Sequence, residues 1–304
     1  MVAPAPAEPA LQVIGSELLR WRRELLEGGG EASALDWLLE MRGGLSWQQL
    51  QRLQLRPQTA VPLRTPLQQL AELWQRHRSN QEPLQYLVGL CPWRDLELQV
   101  GPGVLIPRQE TELLVELALN LQTLSQSAGE EPQLWADLGT GSGCLAVALA
   151  RAWPHSHGLA VDLSAAALIQ ARINLQAQQL LERVALIQGS WWQPLVEQWG
   201  RLDLVVANPP YIPSRVWEQL EPVVREHEPE LALNGGGDGL DAIRAIAKDA
   251  HQALAPGGWL ILEHHHDQST AVLALLQAAG LDHVQAHPDL EGHARFASAR
   301  RASA

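Results

Sequence analysis

Leu204-Val205-Val206-Ala207-Asn208-Pro209-Pro210-Tyr211 decides how this chain reads. An apolar, β-branched run stops at an Asn followed by two prolines, the pattern of a buried strand that delivers a rigid turn at its carboxyl end. Open α/β sheets bind their ligands at such strand ends. Pro209 and Pro210 have fixed φ and no N–H, and each pushes the residue before it out of the helical region, so the carbonyls of the turn stay available as acceptors. Asn208 adds a side-chain carbonyl and Tyr211 a flat aromatic face. Together they form a socket for a planar NH2 group, with two acceptors taking its two hydrogens while its plane stacks on the ring. An amide or base-amino nitrogen is a poor nucleophile because its lone pair is delocalised. Holding both hydrogens turns that lone pair toward an electrophile and stabilises the positive charge that develops on attack. Taken alone, the four residues also suit a plain strand-ending turn with a buried Tyr.

Upstream, strand and helix patterns alternate. Leu134-Trp135-Ala136-Asp137-Leu138 reads as a strand, and Gly139-Thr140-Gly141-Ser142-Gly143 as a glycine loop that opens a helix over residues 144–153. Glycines permit a tight turn and close backbone approach, and the helix amino terminus offers N–H groups to a ligand carboxylate. The spacing is Gly-x-Gly-x-Gly, not the dinucleotide Gly-x-Gly-x-x-Gly. A second strand, Gly158-Leu159-Ala160-Val161, ends at Asp162, suited to accept hydrogen bonds from both ribose hydroxyls of a nucleoside. Ser164 caps the next helix, whose Ala167, Leu168, Ala171 and Leu175 face inward. A third strand over residues 184–187 leads to Gly189-Ser190-Trp191-Trp192. One glycine loop is weak evidence; loop, acidic strand end and proline turn, each after a strand, are strong together.

At 304 residues the chain has room for one large domain, or a large and a small one. Cys91 and Cys144 are its only cysteines and are far apart, which argues against a disulfide framework or a cysteine zinc site. Residues 1–10 lack the pattern of a signal peptide and no apolar run approaches a membrane span, so a cytoplasmic protein is expected. Residues 1–80 carry nine Arg and eight Asp or Glu, whereas residues 81–304 carry 13 Lys or Arg against 26 Asp or Glu. So acidic a catalytic half argues against a long nucleic-acid tract as substrate.

The expected domains are a disordered tail over residues 1–9, a helical bundle over 10–80, a hairpin linker over 81–109 and a catalytic domain over 110–304. Leu11, Ile14, Leu18, Trp21 and Leu25 recur at helical spacing until Gly28-Gly29-Gly30. Ala34, Trp37, Leu38 and Met41 share a face of a second helix. Ser46-Trp47-Gln48-Gln49 and Thr65-Pro66-Leu67-Gln68 both fit a capping box. Tyr86-Leu87-Val88 and Leu96-Glu97-Leu98-Gln99-Val100 read as the strands of the linker hairpin. A helix continues through Leu113, Leu114, Leu117 and Leu121.

With these residues in view, the chain resembles the bacterial protein-(glutamine-N5) methyltransferases, which modify the Gly-Gly-Gln glutamine of class I peptide chain release factors. Asn208-Pro209-Pro210-Tyr211 matches the signature of amide and amino nitrogen methyltransferases. Leu105-Ile106-Pro107-Arg108-Gln109-Glu110-Thr111-Glu112 is the more diagnostic match, and residues 83–89 and 230–240, with Gly235-Gly236-Gly237-Asp238-Gly239, also fit. The resemblance implies a seven-stranded, mostly parallel, Rossmann-like S-adenosylmethionine-dependent methyltransferase sheet with an antiparallel carboxyl-terminal hairpin, over residues 283–287 and 295–299, and an amino-terminal bundle that docks the release factor. It implies that Gly139, Thr140, Gly141, Ser142 and Gly143 cradle the methionine part of S-adenosylmethionine, with Asp137 near its amino group. Asp162 would take the ribose, Trp191 would pack on the adenine, and Asn208, Pro209, Pro210 and Tyr211 would hold the target amide, with Asn208 also touching the cofactor. No metal is implied, and no direct nucleic-acid or membrane partner.

Three positions depart from the family pattern. Ser190 stands where Asp is usual, which weakens the expected grip on the adenine amino group. Gln109 replaces a common Pro. Glu263-His264-His265-His266 replaces the usual Gly after a Glu-x pair, so that loop needs another shape. As a metal site the histidine run lacks a completing carboxylate or Cys, and consecutive strand residues point to opposite faces. Two other functions fit parts of the pattern. A nucleic-acid amino-methyltransferase would use the same socket on a flipped base, and calls for a basic groove. A non-catalytic cofactor-binding partner of the translation machinery would tolerate damage to the socket, which is intact.

Overall fold

The computed structural model describes residues 11–125 and 131–303; the expected tail over residues 1–9 lies outside them. The chain divides into two compact units, one through Leu90 and one from Cys91. Among the described residues no helix is long and apolar enough to cross a membrane.

The first unit runs β1 (Leu11–Ile14), α1 (Gly15–Glu27), α2 (Ala32–Leu38), α3 (Trp47–Leu55), β2 (Ala60–Leu63), α4 (Leu67–Asn80) and α5 (Leu84–Val88). It is not wholly helical. Leu11 and Ile14, expected in the first helix, form a strand antiparallel to β2, with Leu11 opposite Leu63. The pairing continues into Gly15 N–H to Thr59 O at 2.9 Å, so backbone bonds to a distant segment override the local periodicity. Leu35, Leu38, Leu39, Leu70 and Trp74 are buried in the core, while Ala34, Trp37 and Met41 pack against it half-exposed. Ser46 caps α3 through a reciprocal box with Gln49. Thr65 does not cap α4: its hydroxyl donates to Arg42 O at 2.8 Å, and the cap falls on Pro66. Tyr86, Leu87 and Val88, expected as strand, are helix. Pro83 starts that turn, Leu84, Leu87 and Val88 bury one helical face, and Gly89 ends it in the left-handed region at φ 79.

The boundary falls at the first residue of β3 (Leu90–Trp93), which forms a two-stranded sheet with β4 (Leu96–Gln99), one turn later than Tyr86–Val88 would have put it. Then follow α6 (Glu112–Ser125), β5 (Leu134–Leu138), α7 (Cys144–Ala152), β6 (His157–Asp162), α8 (Ala165–Ala177), β7 (Val184–Gln188) and β8 (Leu202–Ala207). Two short helices, α9 (Ser214–Trp217) and α10 (Pro222–Arg225), lead to α11 (Asp241–Ala253), β9 (Leu254–Glu263), α12 (Ser269–Ala278), β10 (Asp282–Pro288) and β11 (Ala294–Arg300).

The seven strands of the sheet lie in the order β10-β11-β9-β8-β5-β6-β7. β9, β8, β5, β6 and β7 are parallel, and β11 and β10 add antiparallel at one edge, the hairpin expected over residues 283–299. Alternation along β8 sends Leu204 and Val206 into a core covered by α6 and α7, and Val205 and Ala207 into a second core under α11 and α12. Chain order reverses between β5 and β8, so a crevice opens at their carboxyl ends. The histidine run begins where β9 ends. His265 caps a single 3-10 turn, His266–Gln268, and its ring lies 4.2 Å from that of His266, side by side and no longer on alternate strand faces. Among the described residues no group of three or more His, Cys, Asp or Glu could hold a metal ion.

The Trp135 ring lies over Gly158 on the neighbouring strand, and its Nε1 donates to Ser156 Oγ at 2.9 Å. A Cβ at Gly158 would come within 2.2 Å of that ring. Gly158→Ala is expected to lower the urea unfolding free energy by about 2 kcal/mol through overpacking. A change within about 0.5 kcal/mol would contradict this packing.

Candidate active site

Past Leu138 the chain turns through Gly139 (φ 78), Gly141 (φ 56) and Gly143 (φ 82), conformations open to glycine at little cost. Asp162, at the end of β6, ties this loop to the next helix: Oδ2 accepts from Gly141 N at 2.9 Å and Oδ1 from Ser164 N at 2.8 Å. Each carboxylate oxygen keeps a further lone pair. Trp191 stands in the left-handed region at φ 46, which costs a non-glycine residue about 1 kcal/mol. Its ring lies against Gly139, 3.3 Å from where a Cβ would sit, a tight approach that adds to the preference for glycine set by the φ there.

Asp137 lies beneath the loop, fully buried. Thr140 Oγ1 donates to its Oδ2 at 2.6 Å, while Oδ1 is buried without a hydrogen-bond partner. Burial pushes its carboxyl up to about 7; the Thr140 hydroxyl works against this shift and the Asp162 charge adds to it.

Two cavities meet at the strand ends. The larger, about 240 Å³, is lined by Gly139, Thr140, Gly141, Ser142, Asp162, Ser190, Trp191, Asn208 and Pro210. The smaller, about 190 Å³, is lined by Asn208, Pro209 and Tyr211 with Leu220 and Val224. Asn208, Arg108, Leu105 and Ala232 are common to both walls. Of the residues singled out in the sequence, Asp137 and Gly143 stand behind the wall of the larger cavity, and Pro209 and Tyr211 face the smaller one.

Asn208 Nδ2 donates to Thr111 Oγ1 at 2.9 Å, Thr111 Oγ1 donates to Glu263 Oε2 at 2.7 Å, and the Tyr211 hydroxyl donates to Glu263 Oε1 at 3.2 Å. Glu263 is 1% exposed and Thr111 2%. Burial pushes the Glu263 carboxyl up to about 7, opposed by these two hydrogen bonds, and burial beside Glu263 raises the Tyr211 phenol above its usual range. The Tyr211 carbonyl is occupied by Gln268 Nε2 at 2.9 Å. Among the described residues no protein group hydrogen-bonds the carbonyls of Pro209 or Pro210, so the free acceptors of the turn are these two and Asn208 Oδ1. The loop over residues 235–239 presses on the turn from behind. A Cβ at Gly239 would sit 2.2 Å from Tyr211 O, and Gly235 N donates to Ile212 O at 2.8 Å.

Sequence reasoning missed three residues here. Thr111 lies in the run 105–112, whose roles had gone unassigned. Glu263 was noted only as the start of the histidine run. Glu228 gave no signal at all, yet its buried carboxylate accepts from Arg108 Nη2 at 2.6 Å and Ile106 N at 3.0 Å, which holds Arg108 at the wall common to the two cavities.

Residues 113–224 match the Methyltransferase small domain family. The chain is 50% identical over 286 residues to the release factor glutamine methyltransferase of Prochlorococcus marinus, covering 94% of this chain and 96% of that protein. This chain belongs to the release factor glutamine methyltransferase family. The protein of the same name from Synechocystis sp. is 40% identical over 300 residues, covering 96% of this chain and 98% of the relative. A solved structure of the release factor-specific protein-(glutamine-N5) methyltransferase of Alicyclobacillus acidocaldarius is 31% identical, with a TM-score of 0.40, covering 67% of this chain and 99% of that one. The chain is therefore a methyltransferase, its seven-stranded sheet is the methyltransferase sheet expected, and family membership favours the amide reading of the socket over the nucleic-acid one.

Buried Asp137 makes folding depend on pH. An acid whose folded pKa, about 7, stands above its ordinary 3.8 makes the folded state the stronger proton binder. Its contribution to stability is complete below 3.8 and is lost as the pH rises through about 7. Asp137→Asn cannot ionise, so the Tm of the variant relative to the parent is expected to climb as scans move from acid to neutral pH. A Tm difference that does not change with pH would contradict it.

Proposed function

We propose that this chain transfers a methyl group from S-adenosylmethionine to the side-chain amide nitrogen of the glutamine in the Gly-Gly-Gln motif of class I peptide chain release factors, in the cytoplasm. The observation that carries this reading is that Asn208 stands in the wall of both cavities, so a donor in one and an amide in the other would meet at its side chain.

The larger cavity fits the cofactor. Its glycine loop and the amino end of α7 suit a carboxylate, and Asp162 keeps an acceptor site on each oxygen for two hydroxyls. The Trp191 face suits an adenine, and the unpartnered Oδ1 of Asp137 beneath the loop suits an ammonium. Ser190 offers the adenine amino group a neutral acceptor in place of a carboxylate. When bound, S-adenosylmethionine supplies a methyl group activated by its sulfonium.

The chain's own residues prepare the nucleophile. Asn208 Oδ1 and a free proline carbonyl accept the two amide hydrogens, and the Tyr211 ring takes the face of the amide. Those acceptors fix the nitrogen and lower the cost of the positive charge it acquires as the new N–C bond forms. One N–H proton leaves afterward to water. The apolar walls at Leu220 and Val224 limit competing water.

The test is mass spectrometry of a purified release factor incubated with the protein and S-adenosylmethionine. One methyl group on the Gly-Gly-Gln glutamine is expected, and Asn208→Ala should slow its appearance by about 10²–10³-fold. No methyl on that residue with the parent protein would sink the reading.

The first unit, which has its own buried core, is proposed to dock the release factor. Deleting residues 1–80 is expected to weaken release-factor binding far more than cofactor binding in calorimetry. Equal loss of both would count against docking.

A further inference from the structure

We propose that Glu263, acting through Thr111, sets which way round the Asn208 amide stands, so that its carbonyl oxygen faces the substrate. The inference rests on the function proposed above and assigns positioning roles to two residues that the socket motif does not include.

The two ends of an Asn amide are nearly alike in shape and opposite in chemistry. The socket works only with Oδ1 toward the substrate hydrogens, and a turned amide would offer them its own N–H groups. Nothing within Asn208 decides between the two. Thr111 can, because a hydroxyl has one hydrogen. An ionised carboxylate only accepts, so at 2.7 Å Glu263 Oε2 takes that hydrogen and leaves Thr111 Oγ1 only lone pairs to show Asn208. Asn208 must then turn Nδ2 to Thr111, as it does at 2.9 Å, and Oδ1 away. The order follows from counting donors and acceptors along the chain of three side chains.

Burial makes the rule strict. Glu263 is closed off from water, and Thr111, at the wall of the larger cavity, is only 2% exposed, so few substitute partners can reach the pair. The other carboxylate oxygen accepts from the Tyr211 hydroxyl at 3.2 Å, so one group steadies both the acceptor and the aromatic side of the socket. A protonated Glu263 would be a donor. It could give its proton to Thr111, release the hydroxyl hydrogen toward Asn208, and let the amide stand either way.

The charged and titratable groups facing Glu263 are Tyr211 past β8, Arg295 on β11 and Glu110 ahead of α6. Arg295 favours the ionised form and Glu110 opposes it. Arg108 and Arg295 both act on Tyr211 in turn.

Steady-state methylation of a purified release factor, with cofactor affinity from calorimetry, tests the relay. Thr111→Val is expected to lower kcat by at least about tenfold while the cofactor Kd stays within about twofold, and Thr111→Ser to restore most of the loss. A Val variant with near-parental kcat, or a Ser variant as poor as Val, would overturn the relay. Should Thr111→Val fail to fold, the pH profile of Glu263→Gln decides. Asp137 also titrates at about 7, so the parent kcat should rise there in two parts and the neutral variant should lose the part that Glu263 supplies. A variant profile that matches the parent's overturns the relay. Parent protein that leaves the release factor unmethylated overturns the function above and this inference with it; active parent with an indifferent Thr111→Val overturns the inference alone.

Discussion

Strand β8 runs between β5 and β9 with both faces covered, and the position of the proline turn at its end depends on that confinement. A parallel strand held by ladders on both sides cannot slip by one residue without turning Leu204 and Val206 out of one core and Val205 and Ala207 out of the other. Its end is therefore fixed, and Asn208 is the first residue beyond it. The two prolines add stiffness without asking for hydrogen bonds, so the turn keeps its shape with carbonyls to spare. The glycine loop after β5 is fixed in the same way one strand over, which brings the two cavities to a common wall.

Two buried carboxyl groups lie against this arrangement. Asp137 and Glu263 each lose solvation on folding, and both carboxyls are pushed up to about 7. Among the described residues neither has a cation in direct contact; each is held by hydroxyl groups, Thr140 for the first and Thr111 with Tyr211 for the second. Buried acids so placed oppose stability above neutral pH while ordering the side chains around them.

Long-range contacts hold the outer rim. Glu228 ties Ile106 and Arg108 down across 122 and 120 residues of sequence, and the loop over residues 235–239 backs the proline turn closely enough to need glycine at Gly239. The run 105–112, conspicuous in the sequence without a role, thus supplies a wall residue in Arg108 and a relay in Thr111.

The sequence by itself determined what is local. Three features of the parallel sheet, the strand before Gly139, the cap at Ser164 and the strand that ends at Asn208, are set by patterns within a dozen residues and were legible there. Short apolar runs were not: Leu11 and Ile14 became a strand because β2 pairs with them, and Tyr86 to Val88 became helix because Leu84, Leu87 and Val88 bury one face. The relay was invisible for a stronger reason. Thr111 and Glu263 stand 152 residues apart, and Thr111 and Asn208 97, so only the folded sheet brings them within a hydrogen bond. Local sequence decides which groups can accept or donate; the tertiary structure decides which of them meet, and in a buried site that meeting fixes the direction of every hydrogen bond.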